Sequence, residues 1–177
     1  MIIFDYFLLL ICLLVVVFLL IEFYNITFRG YAPFIPTGNK AISAAVENIS
    51  LPETGTVYEL GCGQAGFLRE LRKKYAKANL YGVEYNLFPY LIGQIQNSLS
   101  KSNIQFIKKN FFKVDLSQAD AIYCFLSIRT MADLEPKFKA ECKPGTKIIS
   151  YNFTLPNHTP EKVVEMENKN KIYFYKI

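Results

Sequence analysis

A cluster of glycines between two acidic residues is the part of this sequence best suited to bind a ligand. Gly61, Gly63 and Gly66 fall within six positions, Glu59 precedes them, and Glu84 follows further along the chain. Glycine lets the backbone adopt positive φ angles and approach a ligand closely. Carboxylates beside such a turn can attract a cation or accept hydrogen bonds from hydroxyl groups. The combination is typical of a site for the polar end of an adenosine-containing cofactor.

The residues on either side of the glycines predict the elements that position them. A short apolar run that begins at Val57 predicts a buried strand, and the helical pattern opened by Phe67 predicts a helix after the turn. The first amides of that helix would face a ligand above the turn. A second short strand, Asn79–Glu84, also ends in an acid. We therefore expect Glu59 and Glu84 to open onto one shared site.

Two cofactors fit this arrangement. The run from Gly61 to Gly66 satisfies the dinucleotide fingerprint G-x-G-x-x-G. Glu59 favours S-adenosylmethionine (SAM) instead, because a negative charge there would repel a pyrophosphate and attract the ammonium group of a methionine moiety. Glu84 does not discriminate, since both cofactors carry ribose hydroxyls. An NAD(P)-dependent Rossmann oxidoreductase is therefore an alternative, as is an ordinary βαβ unit whose glycines only make the turn.

The N-terminus is predicted to be a transmembrane anchor, residues 1–24. No charge occurs from Tyr6 to Ile21, and with the preceding residues the stretch reaches the ~20 residues that a spanning helix needs. A cleaved signal peptide would have basic residues before the apolar run, and none is present. A buried core helix is the other alternative. Arg29 and Lys40 follow the segment, which predicts a single-pass protein with its domain on the cytoplasmic side.

The remaining residues divide into a connecting region, 25–50, and a domain, 51–177. The apolar linker Gly30–Gly38 is expected either to pack on the domain or to fold over the site as a lid, and a helix follows it. Strands separated by helices predict an α/β domain with a parallel sheet. The expected elements are helices Asn39–Ile49, Tyr90–Leu99 and Leu134–Cys142, a turn over Tyr85–Pro89, strands Ile104–Ile107, Ala121–Leu126 and Lys147–Phe153, and a terminal hairpin of Glu161–Glu167 with Lys171–Tyr175.

Cysteine spacing and net charge bear on other ligand classes. The four cysteines show no CxxC spacing, which predicts reduced thiols and no metal site. The formal charge of +5 arises partly from basic clusters at Arg69–Lys77 and Lys101–Lys113. These fit solvated surfaces or attraction to anionic lipid headgroups, so a nucleic-acid substrate is disfavoured.

The motifs together resemble the class I SAM-dependent methyltransferases. Glu59–Gly63, Val83-Glu84, a polar-aromatic step after the third strand and the C-terminal hairpin carry this likeness. A narrower likeness is to the membrane-anchored protein-lysine methyltransferases that act on the adenine nucleotide translocase and the ATP synthase c subunit, together with prokaryotic relatives. It rests on Pro33–Thr37, Val114–Asp120, Leu134–Phe138 and Lys143–Gly145 and runs from about Tyr31 to the C-terminus.

The resemblance implies a Rossmann-like sheet with an antiparallel C-terminal hairpin, SAM as cofactor, and N-methylation of a lysine in a membrane-associated protein. The implied cofactor residues are Glu59, Gly61, Cys62, Gly63, Gly66, Glu84, Tyr85, Asn110 and Phe111. Among them Asn110 is expected to bond the adenine amino group and Phe111 to cover the ring, although a loop asparagine beside a core aromatic is the plainer interpretation. Membrane lipid around the N-terminal helix and a protein substrate are the implied partners.

Three positions depart from the family pattern. The glycine loop usually continues with an acid where this chain has Gln64, and Asn110 replaces the more common Asp. Both changes remove negative charge near the cofactor, so a catalytically weak, methyltransferase-like binding module is a third possibility. After the fourth strand, Ser127–Arg129 stands where relatives often have a Pro-Gln step, which leaves the substrate open.

The reaction implied is an in-line displacement of the sulfonium methyl by a nucleophile. The donor is already activated, so the protein mainly supplies proximity, alignment and exclusion of water, and no dedicated catalytic base is predicted. The expected acceptor-positioning residues are Thr37, Ser127, Asn152 and His158. For His158, an exposed loop histidine without a role is the alternative.

Overall fold

The computed structural model describes residues 2–29 and 37–177, and these two ranges belong to two separate units. The first unit contains one helix, α1 (Ile2–Arg29). Its segment Phe4–Ile21 has a mean hydropathy of 3.0 and is long and apolar enough to cross a membrane. The residues 30–36 of the expected linker and lid lie outside the described part of the chain.

The second unit is built on a seven-stranded mixed sheet with strand order β3-β2-β1-β4-β5-β7-β6. The strands are β1 (Thr56–Leu60), β2 (Asn79–Glu84), β3 (Gln105–Lys108), β4 (Ala121–Cys124), β5 (Lys147–Tyr151), β6 (Lys162–Glu165) and β7 (Lys171–Lys176). The first five are parallel, and β7 runs antiparallel between β5 and β6. This confirms the predicted Rossmann-like α/β sheet with a C-terminal antiparallel hairpin.

Helices cover both faces of the sheet. They are α2 (Asn39–Glu47), α3 (Gly66–Lys74), α4 (Leu87–Ser100) and α5 (Ile128–Glu141), with a 3-10 turn at Phe111–Lys113. On one face, α2 and α3 bury an apolar layer that includes Phe67 and Leu71. On the other, α5 buries Leu134 and Phe138. Both layers are continuous with the apolar strands, so the parallel strands are covered on both sides, as their uninterrupted apolar runs require.

Several element boundaries differ from the sequence-based prediction. Helix α5 begins at Ile128 rather than Leu134, because Ser127 caps it there. Pro136 therefore lies inside the helix and not in its first turn. Helix α4 begins at Leu87, within the predicted turn; Pro89 is tolerated because amides in the first turn have no intrahelical partner. Strand β5 ends at Tyr151 because Asn152 has a φ of 69°, which breaks the extended backbone.

Candidate functional site

Glu59 and Glu84 lie close together at the carboxyl edge of the sheet. Glu59 is in β1, Glu84 is the last residue of β2, and these strands are neighbours with Glu59 opposite Gly82. Both side chains are 7% exposed. Burial is the main cause of the raised pKa of Glu59, and the neighbouring charge of Glu84 raises it further. The structure thus brings together the two acids that the sequence predicted would share one site.

The glycine turn after β1 is fixed against the end of β2. The amides of Gly61 and Cys62 both donate to the carbonyl of Val83, at 2.9 and 3.0 Å. Gly61 and Gly63 have φ angles of 69° and 49°, which residues other than glycine rarely adopt. Gly61 is exposed, whereas Cys62 and Gly63 are buried. The turn therefore presents bare backbone to solvent at the strand ends.

Glu84 holds this turn through its carboxylate. Its Oε2 accepts a hydrogen bond from the Gly63 amide at 3.0 Å, and its Oε1 accepts one from the Asn86 amide at 2.7 Å. Burial raises the pKa of Glu84, and the amides of Asn86, Gly63 and Tyr85 oppose that shift. A carboxylate has about four acceptor sites. Glu84 therefore has capacity left for hydroxyl donors.

Glu59 is a buried acid beside the first turn of α3. Its Oε2 accepts a hydrogen bond from the Leu68 amide at 3.2 Å. Burial raises the pKa of Glu59 to about 8, opposed by the Leu68 amide and by the charge of Arg69. Among residues 37–177, no basic side chain forms an ion pair with Glu59 or Glu84. Ionising a buried carboxyl without a partner is costly, so a cationic ligand group would stabilise its charged form and is favoured at this site.

Gln64, which stands where relatives often have an acid, is held by a basic residue of α3. The guanidinium of Arg69 donates a hydrogen bond to the backbone carbonyl of Gln64. Ala65, just before α3, has a φ of 54°. Gly66 packs closely against α2, because a Cβ added to it would lie 3.0 Å from Cδ1 of Ile42. The loop is therefore held by main-chain contacts and by Arg69 where relatives often have an acid.

Tyr123 lies beside Glu59 and contacts Thr37. It lies in β4 opposite Glu59, and its ring stacks on Phe67 with centroids 4.2 Å apart. Its hydroxyl donates to Oγ1 of Thr37 at 3.5 Å. Burial raises the pKa of Tyr123, so the hydroxyl remains a donor at neutral pH. Sequence reasoning missed Tyr123 because it stands in an apolar strand and has the pattern of a core residue.

The predicted adenine-binding residues lie after β3. Oδ1 of Asn110 accepts a hydrogen bond from the Phe112 amide at 2.9 Å, which caps the 3-10 turn. Phe111 is half-buried, and Tyr85, which follows Glu84, is 46% exposed. Cys62 is buried, with its Sγ 2.9 Å from where a Cβ on Gly82 would stand. The oxygen that the adenine amino group would need is thus already engaged by the Phe112 amide, which leaves its second lone pair for that contact and the amide nitrogen for a ring acceptor.

The other three expected acceptor-positioning residues also have structural partners. Oγ of Ser127 accepts from the Thr130 amide, and Oδ1 of Asn152 accepts from the Lys171 amide, both at 3.2 Å. Nδ1 of His158 lies 2.8 Å from Oε1 of Glu135. His158 is therefore not a bare exposed histidine. Glu135 was missed in the sequence, although an acid on the apolar face of a helix is a detectable signal.

Gly93 brings α4 against the glycine turn. A Cβ on Gly93 would lie 2.6 Å from the carbonyl oxygen of Gly63 and 2.5 Å from Cε1 of Phe106. Only a residue without a side chain allows this approach. A lone glycine inside a helical pattern is the signal that could have identified it.

The chain is similar to known methyltransferases. The model of the ANTKMT methyltransferase domain matches residues 59–162. A protein-lysine N-methyltransferase of Saccharolobus islandicus is 29% identical over 83% of this chain and 94% of its own length. The lysine N-methyltransferase of the ATP synthase c subunit from Caenorhabditis elegans is 25% identical over 84% of this chain and 82% of its own.

A solved structure shares the fold. An RNA methyltransferase of Salinibacter ruber, in complex with S-adenosyl-L-homocysteine, superposes with a TM-score of 0.77 at 21% identity. The match covers 81% of this chain and 94% of that one. At this identity the likeness concerns the fold alone.

Proposed function

The chain belongs to the ANTKMT methyltransferase family and is a SAM-dependent methyltransferase, and from this premise we propose that it methylates a lysine of a membrane-associated protein while α1 anchors it in the membrane. The substrate class is supported by the relatives, which are a protein-lysine N-methyltransferase and a lysine N-methyltransferase of the ATP synthase c subunit. The anchor is supported by the apolar segment Phe4–Ile21. The family membership also removes the reason to consider an NAD(P)-dependent oxidoreductase.

The cofactor residues of this proposal are those at the carboxyl edge of the sheet. Glu59, buried and without an ion pair among residues 37–177, faces the cationic methionine end of SAM, and Glu84 accepts hydrogen bonds from the ribose hydroxyls. The exposed backbone at Gly61 allows close approach, while Gly63 and Gly66, which pack against α4 and α2, fix the shape of the turn. Cys62 and Tyr85 border this surface. The acids and the glycine turn thus fit a ligand that carries both positive charge and hydroxyl groups.

The adenine end and the acceptor end are assigned to other loops. Asn110 offers its amide group to the adenine edge, with Phe111 against the ring. Thr37, linked to Tyr123 beside Glu59, is the best-placed group for orienting an acceptor. Ser127 and Asn152 follow the ends of β4 and β5, and His158 lies in the loop after β5. Their hydrogen bonds to neighbouring residues fix their orientation.

The chemistry needs little from the protein beyond placement. SAM, when bound, supplies a methyl group on a positively charged sulfur that a neutral amine can attack. Apolar surroundings lower the pKa of a lysine and so favour its neutral form. The buried aromatic pair Phe67 and Tyr123 beside Glu59 helps to exclude water from this region. With the charges of Arg29 at the end of α1 and Lys40 beyond it, the domain is proposed to face the cytoplasm.

Cofactor binding is expected to release a proton from Glu59. The pKa of Glu59 is about 8 in the ligand-free chain, so this carboxyl is mainly protonated at pH 7. A bound cation lowers that pKa, so binding at pH 7 displaces close to one proton, and the affinity for SAM rises as the pH increases towards 8. Calorimetry in buffers with different ionisation enthalpies counts the protons released.

The isosteric variant Glu59→Gln is the matched control for this count. It keeps an acceptor for the Leu68 amide but cannot lose a proton. At pH 7 the amino group of SAM is already mostly protonated, so its share of the exchanged protons is small with either protein. An equal proton count for the two proteins would show that Glu59 does not face the bound cation.

The proposed reaction is tested by transfer of labelled methyl groups. The full chain in detergent is given methyl-labelled SAM, with either membranes or nucleic acid of its source cell. It is expected to label a membrane protein and to leave the nucleic acid unlabelled. Labelling of nucleic acid would contradict the proposal. SAM binding without any transfer to the membranes would instead support the catalytically weak binding module.

A further inference from the structure

Helix α4 presents an apolar face to solvent beside the cofactor site. Its 14 residues, Leu87–Ser100, include no charged side chain. Leu87, Leu91, Ile95 and Leu99 are 55%, 46%, 60% and 79% exposed. Residues spaced by four form one stripe along a helix. Because only Pro89 and Gly93 of this helix are buried, the stripe is the outer surface of α4.

The charged residues around this stripe in the sequence are all basic. Residues 85–114 include four lysines and no Asp or Glu. Lys101 is exposed directly after α4. Lys108 is exposed at the end of β3 and shares a sheet face with Phe106, which contacts α4 at Gly93. An apolar helix face with a basic margin is the pattern of a helix that lies in the interface of an anionic membrane.

We propose that this face of α4 docks on the lipid surface, with Leu91, Ile95 and Leu99 in the acyl boundary and Lys101 and Lys108 at the anionic headgroups. The inference rests on the proposed function, since α1 keeps the domain at the membrane and makes the second contact effectively intramolecular. The basic margin favours lipid over an apolar protein helix as the occupant, because phosphates complement the lysines.

The docking has a consequence for the reaction. The start of α4 lies close to Glu84, which binds the Asn86 amide, and Gly93 contacts the glycine turn. A domain resting on α4 therefore holds its cofactor site at the depth of the lipid headgroups. Lysines of membrane proteins that lie near the bilayer surface are the acceptors that this geometry selects.

The sequence contains no tryptophan, so a single introduced tryptophan reports its own environment. The full chain with Ile95→Trp is reconstituted in vesicles of phosphatidylcholine and phosphatidylglycerol, with and without brominated acyl chains. We expect its emission to shift to shorter wavelength and to lose most of its intensity in the brominated vesicles. The control Val163→Trp, on the opposite edge strand β6 and 45% exposed, is expected to show neither change.

A third variant tests the insertion of α1 in the bilayer independently of the docking of α4. Val16→Trp in α1 is expected to be quenched if the helix is in the bilayer. If Val16→Trp is quenched while Ile95→Trp is not, the docking of α4 is refuted and the anchor stands. If Val16→Trp is not quenched, the anchor fails and the inference fails with it. A change at Ile95→Trp only after a methyl-accepting membrane protein is added would assign the face to that protein and overturn the lipid proposal.

Discussion

The variant Glu84→Ala is expected to bind SAM at least about 100-fold more weakly than the native chain. Each hydrogen bond to a charged acceptor contributes roughly 1.5–3 kcal/mol, and the proposed ribose contacts supply two of them. Their loss therefore amounts to about 3 kcal/mol or more, which corresponds to that change in affinity. The variant also frees the Gly63 amide, which Glu84 holds at 3.0 Å. Calorimetric titration of the full chain in detergent measures the affinity.

The control for this change is Glu70→Ala. Glu70 carries the same charge but pairs with Lys73 on the surface of α3, at 2.6 Å. It is expected to leave SAM affinity within about twofold, because exposed ion pairs contribute at most ~1 kcal/mol to stability and none to this ligand. Circular dichroism of both variants checks that the fold is retained. A folded Glu84→Ala variant with native affinity would remove Glu84 from the cofactor site.

Gly93→Ala is expected to lower both stability and SAM affinity, although helix propensity alone predicts the opposite. Alanine in a helix interior is more favourable than glycine by about 1 kcal/mol. At this position, however, the new Cβ would lie 2.6 Å from the carbonyl oxygen of Gly63, which is backbone and must shift. Overpacking of this kind costs about 1–3 kcal/mol. Because Gly63 is part of the turn, we expect about a tenfold loss of affinity, measured by titration and by thermal unfolding.

Gly38→Ala is the matched substitution. Gly38 is the N-cap of α2 with a φ of −65°, and a Cβ there would have no atom of the described residues within 4 Å. It is expected to leave SAM affinity near its native value and to lower stability only by the roughly 0.5–1 kcal/mol that alanine costs at an N-cap. If Gly93→Ala proved as harmless as Gly38→Ala, or more stable than the native chain, the close contact between α4 and the turn would not hold the site in place.

The sheet could be predicted largely from local patterns. Strand β2 has the predicted bounds, Asn79–Glu84, because a short apolar run there ends in an acid before a turn. The C-terminal hairpin was predicted from its alternation. The helix boundaries were less accurate because they depend on caps and packing. The cap that Ser127 provides for α5 and the place of Pro89 in the first turn of α4 cannot be separated from loop signals in the sequence.

The residues of the candidate site also differ in how well local patterns predicted them. The glycine turn and the two glutamates lie within two strand–turn units, so their spacing alone predicted that they would meet. Tyr123, Gly93 and Glu135 act through residues distant in the chain, namely Thr37, Gly63 and His158. Such pairs form only when the sheet places β4 beside β1 and the loop after β5 beside α5. Local patterns could mark Gly93 and Glu135 as unusual, but they do not contain the identity of the distant partners, so these pairs emerged from the structure.

Identifying the atom that receives the methyl group is the sharpest test of the proposed lysine methylation. The membrane protein labelled by the full chain and SAM is digested, and the position of the added methyl is read by mass spectrometry. We expect the methyl on the side-chain nitrogen of a lysine near the bilayer surface, and labelling by Glu84→Ala that is roughly 100-fold weaker when SAM is kept well below its native Kd. Methylation of any other side chain, or of RNA, would contradict the proposal.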